Sequence, residues 1–503
     1  MLEASYKTSY KTWGVIFVLA IGWGTCTLAN VGPSTTSSFV AKSLSGSESS
    51  AWIPNAALFP LIGLQPLWGA LGDRFGKKWF MVTGGLFGVV GNIVAGRATT
   101  VRQVIAGQAI NGIGSSLLLL VTPTSMEVVP AETRPYAQGF AAFINGIMAI
   151  IGLMSAGGWR WAYYFNAIFF GLSGLLITVF YHPPLTQLRR EQSIMAELKS
   201  LDIIGVMLLL AGVICIVTAL TFGGNIYSWD SPSVMAPLVI GIGMLIAFCS
   251  FETWGRKDGL IDHRFLQSRN FLVVLFVGFI DGMLLYGVNA FFPVEAQAIF
   301  TNNLLKINLY LLPLNIMVLI GCLLSAFVLG RLRHFRALLV VSLVLLALFL
   351  GLLALVTPSR VAIALVFTAV VGLCTGVTTV LPVVILSYSI PSFLLGTGGT
   401  ILASTRALGG VVGITIFATV YGNTMKWSVA DVLGVTDQIL AAATKAIADV
   451  SARAFRYVWI INMAAAVAAA LLCLLLRSVN NRMTRHVESA LENSKLRAKQ
   501  MLK

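Results

Sequence analysis

Predominantly apolar runs, each of the roughly 20 residues needed to cross a bilayer as a helix, recur along this chain from Trp13 to Leu476 with short polar stretches between them. Hydrocarbon offers no hydrogen-bond partner to an exposed backbone, so each run must satisfy its own N–H and C=O groups, and the fold such a chain can adopt is a bundle of membrane helices. Composition agrees: 57% of the 503 residues are hydrophobic and 11% charged, too little polar surface for a soluble globule of this length.

About fourteen runs read as spans, near 13–36, 52–71, 79–96, 102–122, 138–157, 161–181, 202–222, 233–253, 270–291, 308–330, 337–356, 361–385, 398–421 and 456–476. The expected fold is therefore all-α and polytopic, two six-helix bundles with two additional transmembrane helices. Residues 1–200 make the first bundle and its linker, 201–260 the additional pair, 261–476 the second bundle and 477–503 a basic tail. The stretches 182–201 and 254–269 are the charged linkers. Two bundles joined in this way point to an internal duplication, the arrangement of secondary transporters with a site between halves at mid-membrane. A twelve-span alternative would discard 202–253, whose two segments are as apolar as their neighbours.

The chain has 34 Lys+Arg against 19 Asp+Glu, a net charge of +15. An even number of spans with a cytoplasmic N-terminus places Arg74, Lys77, Lys78, Arg134, Arg331, Arg336 and the tail beyond Arg477 on one side, as the positive-inside rule requires. The cationic excess thus needs no nucleic acid, and both termini are expected in the cytoplasm, at the plasma membrane. In the tail, Met483, Val487, Ala490 and Leu491 have helical spacing, which suits a segment lying on the anionic leaflet as well as a solvated one. The first run, preceded by Lys7 and Lys11 and lacking a small-residue cleavage site, reads as a retained helix.

Enzymatic chemistry finds no footing. His182, His263, His334 and His486 fall in loops or the tail, the cysteines show no C-x-x-C spacing, and no phosphate-binding glycine loop is present. No catalytic, metal or cofactor site is expected; the partners are a small-molecule substrate, protons and the bilayer, and the working unit is a monomer. Ionisable groups at membrane depth are rare and costly, which makes each informative. Asp281 lies near the centre of the ninth run, a candidate proton carrier or a fixed partner of Arg406. Arg406, a third of the way into the thirteenth, can hold an anionic substrate, neutralise Asp281 or snorkel to the interface. Gln108, Asn111, Asn145, Tyr286 and Asn289, with Phe291 and Phe292, suit the lining of a cavity for a bulky, oxygen-bearing, largely apolar solute, or act singly as glue between helices.

The segment Gly69-Ala-Leu-Gly72-Asp73-Arg74-Phe-Gly76-Lys77-Lys78 closely resembles the G-x-L-x-D-R-x-G-R-K loop of the major facilitator superfamily. A positive-inside loop explains its cations but not Asp73 between glycines at this spacing. The resemblance implies a carrier with alternating access in which Asp73 and the basic residues pair across an inner gate. Gly330-Arg331-Leu-Arg333 is a weak echo at the equivalent place in the second half. Trp159-Arg160-Trp161 with Asn166, and Ser404-Thr-Arg406-Ala-Leu-Gly409-Gly410-Val-Val-Gly413, look like the fourteen-span drug:proton antiporter branch. Gly91-Asn-Ile-Val-Ala-Gly96-Arg97, Asn111-Gly112-Ile-Gly114, Glu127-Val-Val-Pro130 and Arg134-Pro-Tyr-Ala-Gln-Gly139 resemble the fungal trichothecene-efflux group, which also contains siderophore carriers. Gly112, Gly114, Gly409, Gly410 and Gly413 are the expected sites of close helix packing.

What the resemblance implies is export of a toxic metabolite or drug by proton antiport, with siderophore import on the same fold or a non-transporting receptor or scaffold as alternatives. The chain departs from the pattern in three places. Gln108 stands where a buried arginine is usual, Gly24-Thr-Cys-Thr-Leu-Ala-Asn30 has no acid, and Gly152-Leu-Met-Ser-Ala-Gly157-Gly158 has no proline. These departures leave Asp281 as the main residue for handling protons.

Overall fold

The structure is a computed structural model that describes residues 10–45, 52–154, 159–183, 203–223, 227–252, 265, 268–301, 304–332, 334–356, 360–391, 394–433 and 440–477. The stretch 155–158, most of both charged linkers, Arg333 and the tail from 478 lie outside them, and with them the expectations placed there.

The first half comprises α1 (Tyr10–Ser43), α2 (Trp52–Phe75), α3 (Lys78–Gly96), α4 (Val101–Leu118), the short α5 (Val121–Glu127), α6 (Arg134–Met154) and α7 (Trp159–Phe180). A hairpin of α8 (Ile203–Phe222) and α9 (Pro232–Ser250) follows. The second half comprises α10 (Arg269–Glu295), α11 (Leu304–Leu332), α12 (Phe335–Leu353), α13 (Val361–Ser389), α14 (Leu395–Leu433) and α15 (Leu440–Cys473). The elements among the described residues are helices, and twelve of them have the length and apolarity to cross a membrane. α2 and α6, 24 and 21 residues long, are not among the twelve. Both carry polar side chains within their length, Asn55 and Gln65 in α2 and Gln138 and Asn145 in α6.

Those two helices occupy the seams between the halves, α2 against α14 and α6 against α11. A helix buried between others needs no continuous apolar face toward lipid, so it tolerates amides that α9, largely exposed, does not carry. The hairpin covers one seam. α8 packs on α2 and α14, burying Leu61, Ile62, Val213, Val217, Ala407 and Val411 together, and Asn55 donates to Thr221 Oγ1 at 3.1 Å. Around the outside the exposed side chains are apolar, among them Leu86, Phe276, Leu348 and Val366. In water such a surface would aggregate; in hydrocarbon it costs nothing.

Small residues set the helix spacing. A Cβ at Gly112 would strike the Ala57 backbone of α2, and one at Gly114 would meet Gly88 of α3. Along α14, Gly409, Gly410 and Gly413 face Phe279, Tyr286 and Met283 of α10, while Gly282 of α10 meets the Arg406 carbonyl in return. This reciprocal contact brings α10 and α14 to backbone separation and leaves no room for a larger side chain.

Gly409→Val is therefore expected to destabilise the purified protein by about 1–3 kcal/mol through overpacking, seen as a lowered melting temperature. Gly422→Ala, with open space around its Cα, serves as the neutral control. An unchanged melting temperature for Gly409→Val would show that the α10–α14 approach is looser than described.

Candidate functional site

Helix α14 begins with N–H groups that no residue of its own helix can satisfy. Asp73, at the end of α2 in the other half, supplies the acceptors. Its Oδ1 takes the Gly396 N–H at 3.1 Å, and its Oδ2 takes the Thr397 N–H at 2.7 Å and the Thr397 hydroxyl at 2.8 Å. The carboxylate thus caps a helix across the boundary between halves, where the positive end of the helix dipole also favours it. Gly69, one turn earlier on α2, makes room for Gly396 and Thr400, and Gly396 lies directly on the Asp73 carboxylate. Gly76 has φ +92°, a left-handed conformation that lets the chain turn out of α2 and return Lys77 over Gly72.

Lys77 Nζ lies 2.8 Å from Asp73 Oδ1 and also pairs with Glu127 at the end of α5. Burial alone would lower its pKa, but the two carboxylates outweigh that and raise it. The ammonium is therefore charged at every physiological pH, and its contribution is complete below its ordinary value of about 10.4 and lost only above it. Lys78 turns away and donates to the Thr178 carbonyl at 2.9 Å. Arg74 is half-buried beside the loop. The sequence led one to expect Asp73 and the cations to pair across the gate. In their described contacts Lys77 and Lys78 bond within the first half, and Asp73 makes the crossing to backbone N–H groups and the Thr397 hydroxyl, because a helix start is a ready-made anion site.

A second crossing lies at the same end. Arg134, at the start of α6, donates to the Ser387 carbonyl of α13 at 2.7 Å and to Met126 O at 3.2 Å. Tyr388 returns the contact, its hydroxyl donating to Ala131 O at 2.6 Å. Gly330 of α11 packs on the Tyr136 ring. This end of the molecule is closed.

Deeper in the second half, Asp281 of α10 and Arg406 of α14 form an ion pair, Oδ2 to a terminal guanidinium nitrogen at 2.7 Å. Thr378 of α13 donates to Asp281 Oδ1 at 2.6 Å, and Arg406 donates to Thr379 Oγ1 at 2.8 Å. Asp281 is 2% exposed and the Arg406 side chain 16%. Arg406 Nε has no hydrogen-bond partner among the described residues, so the cation retains a donor. Tyr286, one turn beyond on α10, packs its ring on Gly410, itself one turn beyond Arg406 on α14. The structure thus brings Asp281, Arg406 and Tyr286 together.

The remaining amides make their described hydrogen bonds elsewhere. Asn92 donates to Asn111 Oδ1 at 2.9 Å and Asn111 to Gln108 Oε1 at 3.2 Å, a buried chain between α3 and α4. Asn145 of α6 accepts from Thr27 of α1. Asn289 is exposed and bonds only to the Leu285 carbonyl of its own helix among the contacts described. None of their described hydrogen bonds runs to Asp281 or Arg406. Phe291 and Phe292 are buried in the core of the second half.

Some participants were not singled out from sequence. Thr378, Thr379, Ser387 and Tyr388 belong to an unremarkable apolar run, and only their proximity to charges gives them a role. Glu295 sits 4% exposed near the far end of α10, its oxygens accepting from the Trp459 indole at 3.2 and 3.1 Å. A glutamate so close to Pro293 reads in sequence as the edge of a span; the helix runs past it to Phe300 as a π turn.

Residues 12–414 match the Major Facilitator Superfamily. The chain is 26% identical over 390 residues to the MFS-type transporter TwmF of Talaromyces wortmannii, covering 75% of this chain and 70% of the relative. It is 25% identical to Multidrug resistance protein 3 of Bacillus subtilis, with 84% and 82% covered, and 25% identical to the MFS-type efflux transporter phmH of Phaeosphaeria nodorum, with 71% and 66% covered. In fold it is similar to the proton:xylose symporter XylE bound to 6-bromo-6-deoxy-D-glucose, at TM-score 0.61 and 14% identity, over 92% of this chain and 95% of that one.

Removing the Asp73 carboxylate leaves a helix start without its acceptor and Lys77 with Glu127 alone. Asp73→Ala is expected to cost at least the ~1 kcal/mol of an N-cap and to open this end. Alkylation of a cysteine placed at Gly399, against Pro123, reads the opening. Labelling as slow as with Asp73 intact would argue that Arg134 and Tyr388 hold the end closed alone.

Proposed function

The chain belongs to the Major Facilitator Superfamily, and from that premise we propose that it is a secondary active exporter of a toxic secondary metabolite or drug, driven by proton antiport. It is a multi-pass membrane protein. We read α2 and α6 as the two spans that complete a set of fourteen, with both termini in the cytoplasm, the closed Asp73 end facing inward, and a monomer at the plasma membrane as the working unit. The loop cations support that orientation. Relatives named as efflux and multidrug-resistance proteins support export.

The observation that carries the reading is the buried Asp281–Arg406 pair with its unused Arg406 donor. A buried pair is held by mutual attraction against the desolvation of both ions, so adding a proton to Asp281 removes the reason for Arg406 to stay. Arg406 then offers a charged donor to an oxygen-bearing solute, and loss of the proton returns it to Asp281. Proton and substrate exclude one another at a single cation, which is the requirement for exchange. Glycine contact between α10 and α14 lets that local change move two helices together, and α14 is the helix whose start Asp73 holds. Binding at the pair is thereby linked to the gate through a rigid element.

Two measurements test this. Accumulation of a labelled trichothecene-type toxin in cells with and without the gene, with and without a proton uncoupler, should show export that the uncoupler abolishes. Asp281→Asn should lose that uncoupler-sensitive component while Asp281→Arg with Arg406→Asp restores part of it. Full pH-dependent transport by Asp281→Asn would remove the proton role. Iron-dependent growth rescue without toxin tolerance would replace export by siderophore uptake.

A further inference from the structure

A cavity of about 530 Å³ lies on the second half, between the start of α12, the end of α13 and the residues that follow α15. His334, Arg336 and Arg477 line it, and among the described residues no carboxylate does. Arg477 is held in place by its backbone: its N–H donates to Asn270 Oδ1 at 2.9 Å and its carbonyl accepts from Asn270 Nδ2 at 3.1 Å. Arg336 belongs to the first turn of α12, which has no side-chain cap and itself lines the opening.

The rest of the lining is apolar and leads outward. Val341 and Leu474 are part of it, and both belong to the exposed apolar surface, at 54% and 49%. A small free anion would be served by the cations and gain nothing from these walls. A neutral lipid would use the walls and gain nothing from the cations. A molecule with a phosphate at one end and an acyl chain at the other uses both.

The inner wall makes the position consequential. Phe335 packs edge-on against Tyr388, with ring centroids 5.6 Å apart, and the Tyr388 hydroxyl holds Ala131 of the other half at 2.6 Å. Whatever fills the cavity therefore presses on the residue behind the closed end.

The geometry points to a binding site for the headgroup phosphate of an anionic phospholipid, held by Arg336 and Arg477, with an acyl chain along Val341 and Leu474. The site is separate from the Asp281–Arg406 pair and stands or falls independently of it. Full-length protein purified in neutral detergent is titrated with dioctanoyl phosphatidylglycerol or dioctanoyl phosphatidylcholine, and bound lipid is counted by native mass spectrometry. Phosphatidylglycerol should bind about tenfold more tightly, as two surface cations allow. Arg336→Gln with Arg477→Gln should bring it down to the phosphatidylcholine level. Arg331→Gln, removing a cation that lies over Phe327 outside the cavity, should leave the preference intact. Equal binding of the two lipids by the unaltered protein overturns the proposal without any variant. So does a preference that survives the double substitution, or displacement of the lipid by glycerol phosphate at equal concentration, which would mark a site for a free anion.

Discussion

Charge taken out of water must find a partner inside the molecule, and in a membrane protein there is little else to find. Here several of the described charges tie helices that are remote in sequence. Asp73 ties α2 to the start of α14, Arg134 ties α6 to the end of α13, and Asp281 and Arg406 tie α10 to α14. Removing one partner leaves the other stranded in low dielectric. The helices are held in register by that penalty more than by apolar contact, since lipid tails wet a leucine as well as another leucine does.

Helix α14 is where these ties converge. Its first turn is capped by the other half, its middle carries Arg406, its glycines lie on α10, and its outer flank receives α8 of the hairpin. An element so connected moves as a unit or not at all. Breaking the ion pair at one point and the cap at another are events on the same rod, and this gives a physical route between a binding group and a closed end. The α8–α9 hairpin adds apolar burial along the α2–α14 seam without contributing a charge to it.

How much of this could be read from residues alone differs by feature. The spans were legible because a run of apolar residues has one stable answer in hydrocarbon. α1 and α14 run beyond their expected ends, to Ser43 and Leu433, since helix ends outside the apolar run carry no hydropathy signal. The run 102–122 breaks at Leu119 and Leu120 before α5, where no proline or glycine marks the place. Asp73 was conspicuous among glycines, but its acceptor role was not, because Gly396 and Thr397 look like any small residues at a helix start. Asp281 and Arg406 were visible as rare charges in apolar runs; that they are paired with each other and with Thr378 and Thr379 was one option among several. The amides Gln108, Asn111, Asn145 and Asn289 looked alike on paper. Their separation into a buried chain, a contact with α1 and an exposed position depends on helix rotation, which a periodic pattern with weak amphipathicity does not specify.

The sequence by itself determined that this chain is a bundle of membrane helices, where its charged loops fall, and which few side chains at membrane depth had to be accounted for. Those follow from the solvent, which forces every peptide group into a helix and prices every buried charge. Only the tertiary structure decided which charges meet, that Asp73 is spent on the backbone of α14, and that Arg406 keeps a donor unused. Such pairings join residues hundreds of positions apart, and a local reading of periodicity and composition has no term for the distance between them.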